Sequence, residues 1–134
     1  MTASAIAHPD VTVIIPTRNR ADSLREMLKI LSRQDTEGMF TYEVLVADNG
    51  STDHTARAVE TLRGSFPVTL RYVYEGRRGR CHALNRGIQD AAGRILAFTD
   101  DDVEVASGWL RAIWRCFEEE RVDAVAGRIL QVWK

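Results

Sequence analysis

Short apolar, β-branched runs alternate along this chain with longer stretches whose apolar residues recur every three or four positions. Val11-Thr12-Val13-Ile14-Ile15 is compact and β-branched, a strand that Pro16 is expected to stop. From Asp22 to Gln34, Leu24, Met27, Leu28 and Leu31 fall at helical spacing. Tyr42 to Ala47 reads as the next strand, and Thr52 to Arg63 as a helix with Ala56, Val59 and Leu62 inward. Val68 to Tyr74 alternates as a strand. Gly79 to Ala92 is predicted as a helix with a small-residue face of Ala83, Gly87 and Ala91, suited to close packing on a sheet. Arg94 to Thr99 is a fourth strand, and Ser107 to Glu120 a helix with a broad stripe of Trp109, Leu110, Ile113, Trp114 and Phe117. Ala124 to Val132 begins a further strand. This alternation predicts an α/β domain, a mainly parallel sheet with helices on both faces joined by right-handed crossovers. Residues 1–10 are expected to form a flexible leader and residues 11–134 one domain. The chain stops just after an apolar strand, which suggests a domain truncated at its C-terminal end.

Composition narrows the class. With 134 residues, 45% hydrophobic and 28% charged, the chain has the make-up of an ordinary globular domain. A net charge of −1 removes the whole-domain electrostatic footprint of a nucleic-acid binder. No apolar stretch approaches the ~20 residues of a membrane span, and the first ten residues lack the basic start and apolar run of a signal peptide. Cys81 and Cys116 have no metal-ligand spacing and fit a reducing compartment, so the expected location is cytoplasmic.

The candidate chemistry lies where strands end. Ile95-Leu96-Ala97-Phe98-Thr99 runs into Asp100-Asp101-Asp102, three carboxylates that raise one another's pKa unless something positive joins them. They fit a divalent cation holding a phosphorylated ligand, or a solvated acidic turn that caps the next helix. Strand one ends in Pro16-Thr17-Arg18-Asn19-Arg20, and strand two in Asp48-Asn49-Gly50-Ser51-Thr52-Asp53. Asp48 can accept from ribose hydroxyls or a base N–H; equally, Asp-Asn-Gly-Ser is strong turn chemistry, with Ser51 or Thr52 as a helix cap. Glu75-Gly76-Arg77-Arg78-Gly79-Arg80 precedes the third helix, where backbone N–H groups favour anions. Arg77, Arg78, Arg80 and Arg86 together point to an anionic ligand. One sheet edge with two acidic and two basic clusters suits a nucleoside diphosphate with a metal. His82 and Cys81 read as packing residues, and the tryptophan stripe as core.

Taken in order, these segments resemble the family 2 glycosyltransferases, inverting enzymes of the GT-A fold, over Val11 to about Gly127. Val13 to Arg20 is similar to the family's "IIPTYNR", Val44 to Asp53 to "VVDDGSTD", and Gly79 to Ile88 to "GKAxALNxGI". Ile95 to Asp102 resembles the strand leading to the Asp-any-Asp motif, and Gly108-Trp109-Leu110 fits the helix start that follows it. The resemblance implies a Rossmann-like nucleotide-binding half and a nucleotide-diphosphate sugar donor. It places Thr17, Asn19 and Asp48 toward the nucleotide, Arg80 toward base or diphosphate, and Asp100 or Asp101 toward ribose or metal. Asp102 would sit on Mn²⁺ or Mg²⁺. The implied reaction is attack of an acceptor hydroxyl on the anomeric carbon with inversion. Asn49 departs from the pattern, replacing the second Asp of the usual pair. The family's catalytic base and acceptor region lie downstream of Lys134, so the chain is expected to supply the donor- and metal-binding half. The acceptor, the base and any membrane association of the parent enzyme stay open.

Other classes share parts of the pattern. Aspartyl-phosphate phosphohydrolases place Asp-any-Asp after a strand, but usually the first, and Glu104 stands here where they carry Thr or Val. Nucleotidyltransferases need a Gly-rich loop after strand one, and Pro16 to Arg20 holds no Gly. A non-catalytic domain that binds a nucleotide sugar or a protein partner through the same pocket is the third reading.

Overall fold

The computed structural model describes residues 7–132. Eight elements alternate as expected: β1 (Val11–Thr17), α1 (Ala21–Leu31), β2 (Tyr42–Asp48), α2 (Thr55–Arg63), β3 (Thr69–Tyr74), α3 (Arg80–Asp90), β4 (Ile95–Phe98) and α4 (Trp109–Glu119). The strands form one parallel sheet in the order β3-β2-β1-β4.

The alternation of side chains along each strand sorts the helices. Val11, Val13 and Ile15 of β1, with Val44 and Val46 of β2, pack in one core with Leu24, Met27, Leu28 and Leu31 of α1, Val59 of α2 and Leu110 of α4. The opposite face of β1 carries Ile14, against which Gly87 of α3 rests. Parallel strands buried on both faces read as continuous apolar runs, and β1 and β2 are buried at every residue. The aromatic stripe of α4 is core, as expected: Trp109, Trp114 and Phe117 pack against the cluster, and Phe40 stacks on Trp114 with ring centroids 5.4 Å apart. Buried Gln34 ties this helix down, donating to Ala106 O at 2.9 Å and accepting from Leu110 N at 3.1 Å.

Three expectations need correction. Pro16 does not stop β1, which pairs with β2 as far as Thr17↔Asp48. Ile14 O accepts from Thr99 N on the β4 side, and by the two-residue alternation Pro16 faces that same side, where β4 has already ended. Its missing N–H therefore costs no ladder bond. Ala56 is exposed, and Ala58 takes the inward position on α2. The strand expected over Ala124 to Val132 does not form: residues 121–132 carry no regular structure, and Ile129, Leu130 and Val132 are exposed. Trp133, Lys134 and the first six residues of the expected leader lie outside the described residues.

Candidate functional site

The chain moves outward from β1 to β2 and β3, then returns through α3 to lay β4 on the other side of β1. This is the topological switch point at which open α/β sheets bind ligands, beyond the carboxyl ends of the strands. A cleft of about 480 Å³ opens there. Its walls are Pro16, Thr17, Arg18 and Arg20 after β1, Asn49 after β2, Gly79, Arg80 and Ala83 at the start of α3, and Asp100, Asp101 and Asp102 after β4.

The three aspartates turn to three different partners. Asp101 is buried; its Oδ2 accepts from Thr17 Oγ1 at 2.7 Å, and its Oδ1 lies 3.5 Å from Arg20. Asp102 Oδ2 accepts from the same guanidinium at 2.7 Å. Asp100 forms an ion pair with Arg80 through its buried Oδ1. Burial pushes the Asp101 carboxyl above its ordinary value, opposed by the Thr17 hydroxyl and by Arg20, while the two neighbouring carboxylates add the smallest contributions. Arg20 and Arg80 thus supply the positive charge that the acidic run demands.

Asp48 and Asn19 do not line the cleft. Asp48 is buried, accepting from Ser51 N at 2.9 Å and from the Tyr72 hydroxyl at 2.7 Å. Burial first and Asp48 second push that phenol up. Asn19, with φ +50, accepts from Thr52 N at 2.7 Å and Asp53 N at 3.3 Å, while its own N–H donates to Ser51 Oγ at 2.8 Å. Asp53 completes the brace by accepting from Thr55 N and Ala21 N at the starts of α2 and α1. The loops after β1 and β2 therefore hold one another through side chain to backbone bonds. Gly50 takes the positive φ of the Asp-Asn-Gly-Ser turn, +76.

The basic cluster before and along α3 disperses. Arg77 pairs with buried Glu75 at 3.0 Å, and its guanidinium and N–H bring that carboxyl down to about 2. Arg86 pairs with Asp90 at 2.8 Å along α3. Arg80 alone of the four lines the cleft. Arg18, Arg20 and Asn49 line it too, and sequence reasoning did not single them out as site residues; the density of arginine after β1 was the available signal for two of them.

The donor set suits a hard divalent cation: carboxylate oxygens of three consecutive aspartates lining one cleft. No group of three His, Cys, Asp or Glu converges on one point among the described residues.

The model of the family described as "Glycosyl transferase family 2" matches residues 12–132. The chain belongs to that family. Among curated family 2 relatives, "Glycosyltransferase AglE" of Haloferax volcanii is 33% identical over 121 residues, 90% of this chain and 40% of the relative. The "GalNAc(5)-diNAcBac-PP-undecaprenol beta-1,3-glucosyltransferase" of Campylobacter jejuni is 30% identical over 78% of this chain and 33% of its own. Among solved structures, the Pyrobaculum calidifontis mannosyltransferase PcManGT in complex with GDP-Man and Mn²⁺ is 39% identical, with a TM-score of 0.64 over 74% of this chain and 29% of that one. TarS of S. aureus in complex with UDP-GlcNAc is 25% identical, with a TM-score of 0.67 over 92% and 37%. This family 2 chain spans less than half the length of the curated relatives it matches. Its sheet and helices have the α/β, Rossmann-like architecture of the GT-A fold. No helix among the described residues is long and apolar enough to cross a membrane, and both cysteines are free thiols.

Proposed function

We propose that the cleft binds a nucleotide-diphosphate sugar with Mn²⁺ or Mg²⁺, and that this chain is the donor half of an inverting glycosyltransferase. The observation that carries this reading is the meeting of Asp100, Asp101 and Asp102 with Arg18, Arg20 and Arg80 at the switch point of a parallel sheet. A nucleoside diphosphate needs both signs of charge there, carboxylates for a cation and ribose hydroxyls, guanidinium groups for phosphate oxygens. The complexes of PcManGT with GDP-Man and Mn²⁺ and of TarS with UDP-GlcNAc support the donor class.

In this reading Asp102 and Asp100 hold the cation. When bound there, a divalent cation would neutralise charge on the departing nucleoside diphosphate. Arg80, at the start of α3, and Arg18 meet the phosphates, where the helix N-terminus already favours an anion. Thr17 donates its proton to Asp101, so its oxygen lone pairs stay available to a ligand group in the cleft. Asn19 and Asp48 stand behind this wall and hold its loops in shape. In this reading the acceptor hydroxyl loses its proton to a group outside the donor half.

A thermal-shift panel of UDP, GDP, UDP-GlcNAc and GDP-mannose, with and without Mn²⁺ or Mg²⁺, tests the proposal. A ligand that binds only the native state raises apparent stability by RT ln(1 + [L]/Kd), about 2.7 kcal/mol at a hundredfold excess over Kd. The expected result is a metal-dependent shift with one base. No shift with any of them sinks the donor site, and sugar transfer by the 134-residue chain alone sinks the assignment of a half.

A further inference from the structure

We propose that Asn49 is a positioning residue that sets Arg80 against the diphosphate by clamping the loop between β3 and α3, an inference that rests on the donor site proposed above. The side chain is buried, and both amide protons and the amide oxygen are engaged. Nδ2 donates to Glu75 O at 3.2 Å and to Arg77 O at 2.6 Å, and Oδ1 accepts from Gly79 N at 2.9 Å. These bonds grip both ends of the loop 75–79. Gly79 has φ +129, a backbone that side-chain-bearing residues rarely adopt, and the next residue is Arg80, the first of α3. The loop is held in this shape from outside, and the residue it delivers faces Asp100 across the cleft.

The chemistry of the clamp also explains the departure from the family's Asp-Asp pair. An aspartate at position 49 would keep the acceptor for Gly79 N, but it would set an anionic oxygen against two carbonyl oxygens in place of an N–H donor. Only an amide satisfies all three partners. The side chain that reads as a lost acidic group is therefore committed to the protein's own backbone.

A double-mutant cycle tests this. UDP and GDP, each with Mn²⁺, are titrated calorimetrically into the wild-type chain, Asn49→Ala, Arg80→Ala and the double variant, with hydrogen exchange followed over loop 75–79. Each single substitution is expected to weaken binding on the order of tenfold, with the double variant no weaker than Arg80→Ala within about twofold. The Gly79 amide should exchange faster in Asn49→Ala. Additive losses, wild-type affinity in Asn49→Ala, or unchanged exchange at Gly79 overturns the clamp while leaving the donor site standing. Binding of neither nucleotide by the wild type overturns the donor site and the clamp with it. Should Asn49→Ala not fold, Asn49→Asp carries the same cycle at nearly constant side-chain size; a loss of similar order supports the clamp, and wild-type affinity overturns it.

Discussion

Glu43, near the amino end of β2, and Asp100 to Asp102, beyond the carboxyl end of β4, are acidic groups on one sheet in opposite surroundings. Glu43 is buried, and its Oε1 accepts from Thr12 Oγ1 at 2.8 Å, Ala92 N at 3.1 Å and Arg71 at 3.1 Å. Thr12 Oγ1 in turn accepts from Gly93 N at 2.8 Å, which stitches the α3–β4 connection to the sheet. Every member of that network has its partner within the chain. At the other end, the aspartates are paired with Arg20 and Arg80, side chains 54% and 61% exposed. A closed network of charges holds a fold together. An open one, whose cations are solvent-exposed side chains lining a cleft, is arranged to exchange partners. Charge alone therefore does not mark a site; exposure of the pairing partners to a cleft does.

The largest effect should fall on the closed end. Glu43→Ala leaves the Thr12 hydroxyl, the Ala92 N–H and Arg71 without their acceptor and should cost about 3 kcal/mol of folding stability. Urea unfolding measures that loss, and nucleotide affinity of the folded protein should be unchanged; a variant as stable as wild type would break the contrast. Asp102→Ala should do the reverse, weakening Mn²⁺-dependent nucleotide binding roughly 30-fold, about 2 kcal/mol, with the melting temperature held or raised. A calorimetric titration returning wild-type affinity removes Asp102 from the site.

Tyr72→Phe tests which side of the contrast Asp48 belongs to. It removes the side-chain donor to Asp48 Oδ2 and should cost about 1 kcal/mol of stability. A change confined to nucleotide affinity would move Asp48 to the open side. The smallest effect concerns Glu75. Its folded carboxyl lies at about 2, below its ordinary 4.5. Its contribution to stability is thus complete above 4.5 and is lost as pH falls toward 2. Glu75→Gln should flatten the acid side of the stability–pH curve over that window. An acid limb identical to wild type shows that the Glu75–Arg77 pair adds nothing.

The periodicity of the apolar residues was enough to place all eight elements, because strands buried on both faces and helices with one apolar stripe each leave a local signature. The strand expected after residue 124 failed for the converse reason: an apolar, β-prone segment becomes a strand only where another strand receives it. The site divided along the same line. The acidic run after β4 and Arg80 at the head of α3 follow from which strand ends meet on one edge, and they came together as the segment order implied. The directions of Asp48, Asn19 and Asn49 did not follow, because each is decided by a distant group, the Tyr72 hydroxyl on β3 for Asp48 and backbone groups of another loop for Asn19 and Asn49, between 24 and 34 residues away for the bonds that leave the local turn. Arg20 was read as part of a motif, and its role at Asp101 and Asp102 depends on a contact 81 and 82 residues along the chain.

Gly87 is two turns along α3 from the cleft, and a β-carbon built there would come within 2.6 Å of Ile14 Cγ2. Ile14 is fully buried and branched, so it has no room to turn aside. A missing methyl group thus fixes how low the helix rides on the sheet. Arg80, and the partial positive charge at the end of the helix axis, are carried at that height. The electrostatic potential in the cleft is in this sense set by packing on the opposite side of the helix from solvent, at a position that carries no charge and touches no ligand.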